Sequence, residues 1–113
     1  MHEYSIVSAL LDRIEAEAES RGATGVHAVQ VRIGDLAGVD RDLFRTAFET
    51  FRVGTLCART TLTVVPVEAR WTCPRCGEPL ARGAVLRCET CLEPARLARG
   101  DEIVLDRIEL EVP

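Results

Sequence analysis

Apolar residues recur at steps of three and four near the start of the chain. The positions that would share one side of a helix are Ile6, Val7, Leu10, Leu11, Ile14 and Ala18. This spacing is typical of an amphipathic α-helix, so we predict a helix over residues 5–21. Gly22 is expected to end it, because glycine readily adopts the left-handed conformation that closes a helix.

Three later stretches alternate between apolar and polar residues, as half-buried strands do. They are residues 26–33, 60–65 and 103–112. Pro66 is expected to end the second strand or to place it at an edge of the sheet, because proline has no N–H to donate. In the third strand, one face should be shared by Ile108, Leu110 and Val112.

A second helix is predicted between the first two strands, with Asp40 at its N-cap and Gly54 near its end. Its apolar positions are Leu43, Phe44, Ala47, Phe48 and Phe51, and the three phenylalanines are expected in the core. A strand, a helix and a strand in this order predict a crossover unit. The predicted fold class is therefore α+β, with a small mixed three-stranded sheet and two helices on one face.

Four cysteines form two Cys-x-x-Cys pairs separated by eleven residues: Cys73, Cys76, Cys88 and Cys91. Two such pairs can place four thiolates around one tetrahedral Zn²⁺. We therefore predict an inserted zinc-ribbon-like module over residues 68–100, within an α/β domain made of residues 1–67 and 101–113. With four protein thiolates around it, the Zn²⁺ would be structural and would have no open position for a reaction.

Disulfides or a redox pair are alternatives for the same cysteines. Nothing at the N-terminus resembles a targeting segment, and small intracellular domains seldom keep structural disulfides. A redox pair would normally open a helix, whereas Pro74, Gly77 and Pro79 disfavour a helix here. Gly77 suits a sharp turn after the first pair, but Leu92 follows the second, so we expect the second loop to turn differently.

Composition narrows the classes of function. The net charge of −4 disfavours general nucleic-acid binding. All fourteen basic residues are arginine, which excludes lysine Schiff-base chemistry and a phosphate-loop lysine. Six of the arginines lie within residues 70–99, where they would offset the charge of a zinc–thiolate centre or dock an acidic partner. The apolar runs are too short to span a membrane, so we expect a cytoplasmic protein.

The first three residues, Met1, His2 and Glu3, have metal-binding chemistry of their own. The α-amine of Met1, the amide nitrogen of His2 and the His2 imidazole can close adjoining chelate rings on one ion. Ni(II) and Cu(II) prefer such a nitrogen-rich planar set, and Glu3 can supply a further donor. The positive end of the nearby helix dipole favours deprotonated donors at this place. Asp40 is expected to be an N-cap, and its carboxylate could also complete the metal shell.

The order of these motifs resembles the HypA/HybF family of hydrogenase nickel-incorporation proteins. The segments that carry the resemblance are Met1-His2-Glu3-Tyr4-Ser5, Val31-Arg32-Ile33-Gly34, Ala47-Phe48-Glu49, the paired cysteines and Ile108-Glu109-Leu110. The resemblance covers essentially the whole chain. One departure concerns proline, which lies in the first cysteine pair here, at Pro74, whereas many members have it in the second.

The resemblance implies a nickel metallochaperone rather than an enzyme. It implies that His2 and Glu3 bind Ni(II) as transient cargo, and that the four paired cysteines hold Zn(II). The expected partners are a nickel-handling maturation GTPase and the large subunit of nickel–iron hydrogenase, and in some relatives the same nickel route also serves urease. We expect no nucleic-acid or membrane partner, and a monomer or a homodimer.

Two other classes of function remain open at this point. A zinc-ribbon module for protein or nucleic-acid interaction would show salt-sensitive association, and a thiol-redox enzyme would have reactive thiols in its metal-loaded form. No catalytic constellation is present in the sequence. Of the remaining chemistry-bearing residues, we expect His27, on the same side of the first strand as Val29, and Trp71 to be structural, and Cys57 to be a small buried apolar residue.

Overall fold

The computed structural model describes residues 2–81, 83 and 85–113. The helices and strands are α1 (Glu3–Ser20), β1 (Gly25–Gly34), α2 (Arg41–Phe51), β2 (Thr61–Val67), β3 (Arg70–Thr72), β4 (Arg96–Arg99) and β5 (Ile103–Glu111). Within the described ranges, no helix combines the length and the apolar character that crossing a membrane requires.

The predicted mixed three-stranded sheet is confirmed. β1 lies in the middle, with β2 parallel on one side and β5 antiparallel on the other. Pro66 lies inside β2, opposite Ile33, and not beyond the end of the strand. The sheet tolerates this proline because β2 is an edge strand. Of the two predicted alternatives for Pro66, the edge position is therefore the one observed.

The hydrophobic core lies between the helices and one face of the sheet. Its fully buried side chains include Val7, Ile14, Val29, Val31, Ile33, Phe44 and Phe48. The polar residues of β1 lie on the opposite face. There Gln30 donates a hydrogen bond of 2.6 Å to Asp106, and Arg32 lies 3.3 Å from the same carboxylate. The alternation predicted for β1 is therefore confirmed.

Phe51 is not part of the core, contrary to the prediction. It is the last residue of α2, its side chain is 40% exposed, and its ring packs edge-on against Tyr4 of α1. Helical spacing predicts which side of a helix a residue faces, but not whether the helix still has core beneath it at its end. Val112 likewise lies beyond the end of β5 and is exposed.

Two further differences follow from local backbone geometry. α1 begins at Glu3, two residues before the predicted start. β1 has an irregularity between Val26 and Ala28, and His27 at this bulge is exposed, with its ring 3.8 Å from the carboxylate of Glu111. The predicted side of His27 is therefore wrong, because a bulge breaks the alternation from which it is argued.

Residues 70–99, which we call the cysteine module, lie between β2 and β5 in the chain. β3 and β4 pair antiparallel at its base, and no prediction covers this small sheet. The segments on either side of the module are held to the end of β1 and to the turn after it by backbone hydrogen bonds. Gly34 donates to Glu102 at 2.8 Å, Asp35 to Val67 at 2.9 Å and Leu36 to Gly100 at 2.7 Å.

Candidate metal sites

The four paired cysteines converge on one point of the cysteine module. Their sulfur atoms all lie within 4.8 Å of one another, as four ligands of a single ion must. Cys73 and Cys88 are buried, Cys91 is half-buried and Cys76 is exposed. Among the described residues this is the only group of three or more side chains that could hold a metal ion in this way.

The two cysteine loops repeat one backbone geometry. The N–H of Gly77 donates to the carbonyl of Cys73 at 2.9 Å, and that of Leu92 donates to Cys88 at 2.9 Å. Gly77 has φ 76° and Leu92 has φ 59°, both in the left-handed region. The expectation that the second loop turns differently is wrong, because Leu92 adopts the conformation that glycine adopts in the first.

Disulfides do not describe this arrangement. All five cysteines of the chain are free, and the sulfurs of Cys76 and Cys88 lie 3.8 Å apart, whereas a disulfide bond is about 2.05 Å long. Backbone N–H groups instead point at sulfur. Arg75 donates to Cys73 and Cys91 donates to Cys88, each at 3.4 Å, as in loops that hold thiolates.

The thiols of this cluster differ in their readiness to ionise. Hydrogen bonds from the backbone N–H groups of Cys76 and Arg75 lower the pKa of Cys73 to about 7. A hydrogen bond with the Cys76 thiol, together with burial, raises the pKa of Cys91 to about 12. Four thiolates cannot crowd together without a cation between them, and a divalent ion supplies the charge that lets all four ionise. The donor set therefore fits Zn²⁺.

The predicted nickel residues lie at the start of α1. Met1 lies outside the described residues, and His2 is the exposed N-cap residue, whose side chain makes no capping hydrogen bond. Glu3 is only 3% exposed, and its carboxylate accepts a hydrogen bond of 2.9 Å from the backbone N–H of Asp40. Hydrogen bonding to the positively charged amino terminus, and then to the N–H of Asp40, lowers the pKa of Glu3 to about 2.

Asp40 links this site to α2. Its Oδ1 atom accepts hydrogen bonds from the backbone N–H groups of Asp42 at 2.9 Å and Leu43 at 3.1 Å. The predicted N-cap role is thereby confirmed. Because the N–H of the same residue binds Glu3, the structure brings the first turn of α1 and the first turn of α2 together.

Sequence reasoning missed one contact beside this site. The rings of Tyr4 and Phe51 lie 5.4 Å apart at an interplanar angle of 73°, an edge-to-face pair. Tyr4 follows Glu3 directly, so the contact joins the same helical turn to the far end of α2. Because its helical spacing predicts a core position for Phe51, the sequence gives no indication of this surface contact.

The remaining candidate residues lie elsewhere. Cys57 is fully buried in the main core, as predicted, and burial raises the pKa of its thiol. Trp71 in β3 is half-buried and lines a groove of about 490 Å³ beside Leu36 and Leu80.

Comparison with known proteins gives a consistent result. The family model described as "Hydrogenase/urease nickel incorporation, metallochaperone, hypA" matches residues 1–110. Among curated proteins, the hydrogenase maturation factor HypA of Wolinella succinogenes is 39% identical over 98% of this chain and 96% of its own length. That of Shewanella halifaxensis is 35% identical over 98% of each.

Solved structures agree with the sequence comparison. The solution structure of the Ni metallochaperone HypA from Helicobacter pylori matches with a TM-score of 0.75 and 32% identity, over 100% of both chains. A second structure, titled as the solution structure of HypA protein, matches with a TM-score of 0.82 and 32% identity. It covers 100% of this chain and 98% of its own. The whole of this chain therefore has a fold like that of these two proteins.

Proposed function

We propose a nickel-transfer function for this chain, which belongs to the HypA family of hydrogenase and urease nickel-incorporation metallochaperones. The family is one of maturation factors and not of catalytic enzymes. In our proposal the chain binds one Ni(II) through the α-amine of Met1, through His2 and through Glu3. It then delivers the ion during maturation of nickel–iron hydrogenase.

One observation carries this proposal. His2 is exposed at the very start of α1, and its imidazole makes no capping hydrogen bond. The imidazole is therefore accessible to an ion and to the protein that receives the ion. A site at a chain terminus also suits transfer, because terminal ligands can be offered and withdrawn without unfolding the rest of the molecule.

Glu3 needs a more specific role than the sequence suggests. Its side chain is buried, and one carboxylate oxygen is engaged with the N–H of Asp40. In the proposed site, this hydrogen bond holds the Glu3 carboxylate in place as a further oxygen donor beside His2. Asp40 keeps Oδ2 for the same purpose, because both capping hydrogen bonds use Oδ1.

The four-cysteine site completes the proposal with a structural Zn²⁺. Among the described residues of the cysteine module, only Cys73 and Cys88 are buried, so the module has little apolar core of its own. A structural zinc site contributes roughly 10 to 16 kcal/mol of apparent binding free energy, which becomes folding free energy. For the same reason we propose that the chain is divided into an α/β domain of residues 1–67 and 101–113 and a zinc module of residues 68–100, which folds around its metal ion.

Membership in the family implies contact with the components of hydrogenase maturation. The proposed partners are a nickel-handling GTPase and the hydrogenase large subunit, with urease maturation proteins as a further route, in the cytoplasm. A zinc-ribbon module for nucleic acid is the less favoured alternative, because the net charge of −4 opposes binding to phosphates.

Calorimetric titration of nickel into the untagged, zinc-loaded protein tests the proposal. We expect one Ni(II) per chain for the wild type and a loss of this binding in His2→Ala. His27→Ala is the matched control, because it removes the only other histidine, which is exposed on the sheet. Equal binding by wild type and His2→Ala, or undiminished binding after acetylation of the α-amine, would contradict the proposal.

A further inference from the structure

The first turn of α1 lacks a cap of its own. His2 stands at the N-cap position, yet its side chain makes no capping hydrogen bond. A helix whose N-cap residue supplies no side-chain acceptor is held less firmly at its start. The orientation of this turn therefore depends on contacts from elsewhere in the molecule.

Two contacts with α2 supply that orientation. Glu3 accepts the hydrogen bond from Asp40 at the start of α2, and Tyr4 packs against Phe51 at its end. The two α1 residues are neighbours in sequence, whereas their partners lie at opposite ends of an eleven-residue helix. One contact would allow the turn to pivot. Two contacts on either side of it fix both its position and its direction.

The Tyr4–Phe51 contact is not part of the core that holds the fold together. Tyr4 is 47% exposed and Phe51 is 40% exposed, whereas Phe44 and Phe48 of the same helix are fully buried. An edge-to-face pair near the surface adds a directional interaction and buries little area. Its effect should therefore be local, on the turn that contains the metal ligands.

We infer that α2 is a platform for the metal-binding turn and that Tyr4 and Phe51 are positioning residues for the nickel ligands His2 and Glu3. This inference rests on the proposed function. A ligand set that is ordered before the ion arrives does not lose backbone entropy on binding. Without the ring contact, binding of the ion must itself order the turn, and the affinity of the protein for Ni(II) falls accordingly.

Nickel titration of the full-length, zinc-loaded protein tests the inference with Tyr4→Ala and Phe51→Ala. We expect both variants to bind one Ni(II), with affinity weakened by about five- to thirtyfold, the factor that corresponds to ordering one backbone residue. Tyr4→Phe keeps the ring and should bind within about twofold of the wild type, since the pair needs no hydroxyl group. Val53→Ala is the control for loss of an exposed apolar side chain near the end of α2.

Amide hydrogen exchange of Ile6, whose N–H donates to the carbonyl of His2 at 2.9 Å and closes the first turn, provides a readout that a purely stabilising role would not change. In the wild type, this amide should be protected before nickel is added. In Tyr4→Ala it should become protected only with nickel bound, while the thermal midpoint and zinc content stay near the wild-type values.

Two results would overturn the inference and leave the proposed function intact. One is unchanged nickel affinity in both alanine variants. The other is an affinity loss matched by an equal loss of global stability in both variants. Failure of the wild type itself to bind nickel would overturn the proposed function and, with it, this inference.

Discussion

Leu92 combines a left-handed backbone with an exposed aliphatic side chain. It has φ 59° and is 66% exposed, so few contacts within the described chain offset its strained conformation. In the first loop the equivalent position is Gly77. We predict that Leu92→Gly raises the free energy of unfolding of the zinc-loaded protein by about 0.5 to 1 kcal/mol, because relief of strain exceeds the added entropy of the unfolded chain.

Gly77→Leu is the reciprocal control in that denaturant titration. It imposes the same strain on the first loop and should lower the free energy of unfolding by about 0.5 to 1 kcal/mol, because the strain and the chain entropy both change in the opposite direction. A lower stability of Leu92→Gly would mean that the leucine side chain makes stabilising contacts that outweigh its backbone strain.

The depressed pKa of Glu3 predicts a pH dependence. Its ordinary pKa of 4.5 falls to about 2 in the folded protein, so the ionised form is favoured by folding. Its contribution to stability should be complete above about pH 4.5 and should disappear as the pH falls toward 2. The difference in unfolding free energy between wild type and Glu3→Gln, measured across this range, should shrink with acidification. A constant difference would contradict the assignment.

At the scale of the elements, sequence patterns predict those with a continuous apolar face. Both helices and all three strands of the main sheet follow from such faces. β3 and β4 have only three and four residues, too few to display an alternation, and pairing across the module creates them. The predictions for His27 and Phe51 are wrong for a related reason. A bulge changes the side of β1 that His27 faces, and at the end of α2 there is no core beneath Phe51.

The two candidate metal sites also differ in how far the sequence predicts them. Cysteine spacing predicts the four-sulfur cluster because each pair turns back on itself locally. The buried carboxylate of Glu3 and its hydrogen bond to Asp40 join residues far apart in sequence. Their partnership depends on how α1 crosses α2, which no local pattern encodes.

Removal of Zn²⁺ should unfold the cysteine module and leave the main sheet and its two helices folded. In Cys73→Ser, we expect loss of zinc and of the β3–β4 pairing, while the core around Phe44 and Phe48 remains folded. Two-dimensional NMR of the backbone amides distinguishes the two regions. Simultaneous collapse of both would show that the cysteine module is part of one cooperative unit.

Cys57→Ser is the matched control for that experiment. Cys57 is fully buried in the main core, away from the cluster. Its replacement should lower the free energy of unfolding by about 1 to 3 kcal/mol, because a hydroxyl group is less readily buried than a thiol, and should leave zinc content unchanged.

The whole molecule is elongated. Its radius of gyration is 17.9 Å and its extents are 57 × 27 × 17 Å, whereas a compact chain of this length would have a radius of about 13 Å. The cysteine module extends away from the main sheet, and a close approach of Gly34 to Gly100 lies where they join. A side chain on Gly34 would overlap the backbone of Gly100.

We predict that Gly34→Ala disrupts this junction. The overlap is with backbone and cannot be relieved by a rotamer change, so we expect a destabilisation of about 1 to 3 kcal/mol and an altered small-angle scattering profile. Gly25→Ala is the control, because its new methyl group would lie 3.2 Å from the flexible carboxylate of Glu111. An unchanged profile and stability for Gly34→Ala would show that the two parts adjust freely.

The account as a whole depends on two separate metal sites, one of sulfur and one of nitrogen and oxygen. X-ray absorption at the nickel edge, on zinc-loaded protein with one equivalent of Ni(II), tests this most directly. We predict nitrogen and oxygen neighbours around nickel, including imidazole scattering that disappears in His2→Ala. Sulfur neighbours around the nickel ion would contradict the account, because they would place the cargo in the cysteine cluster.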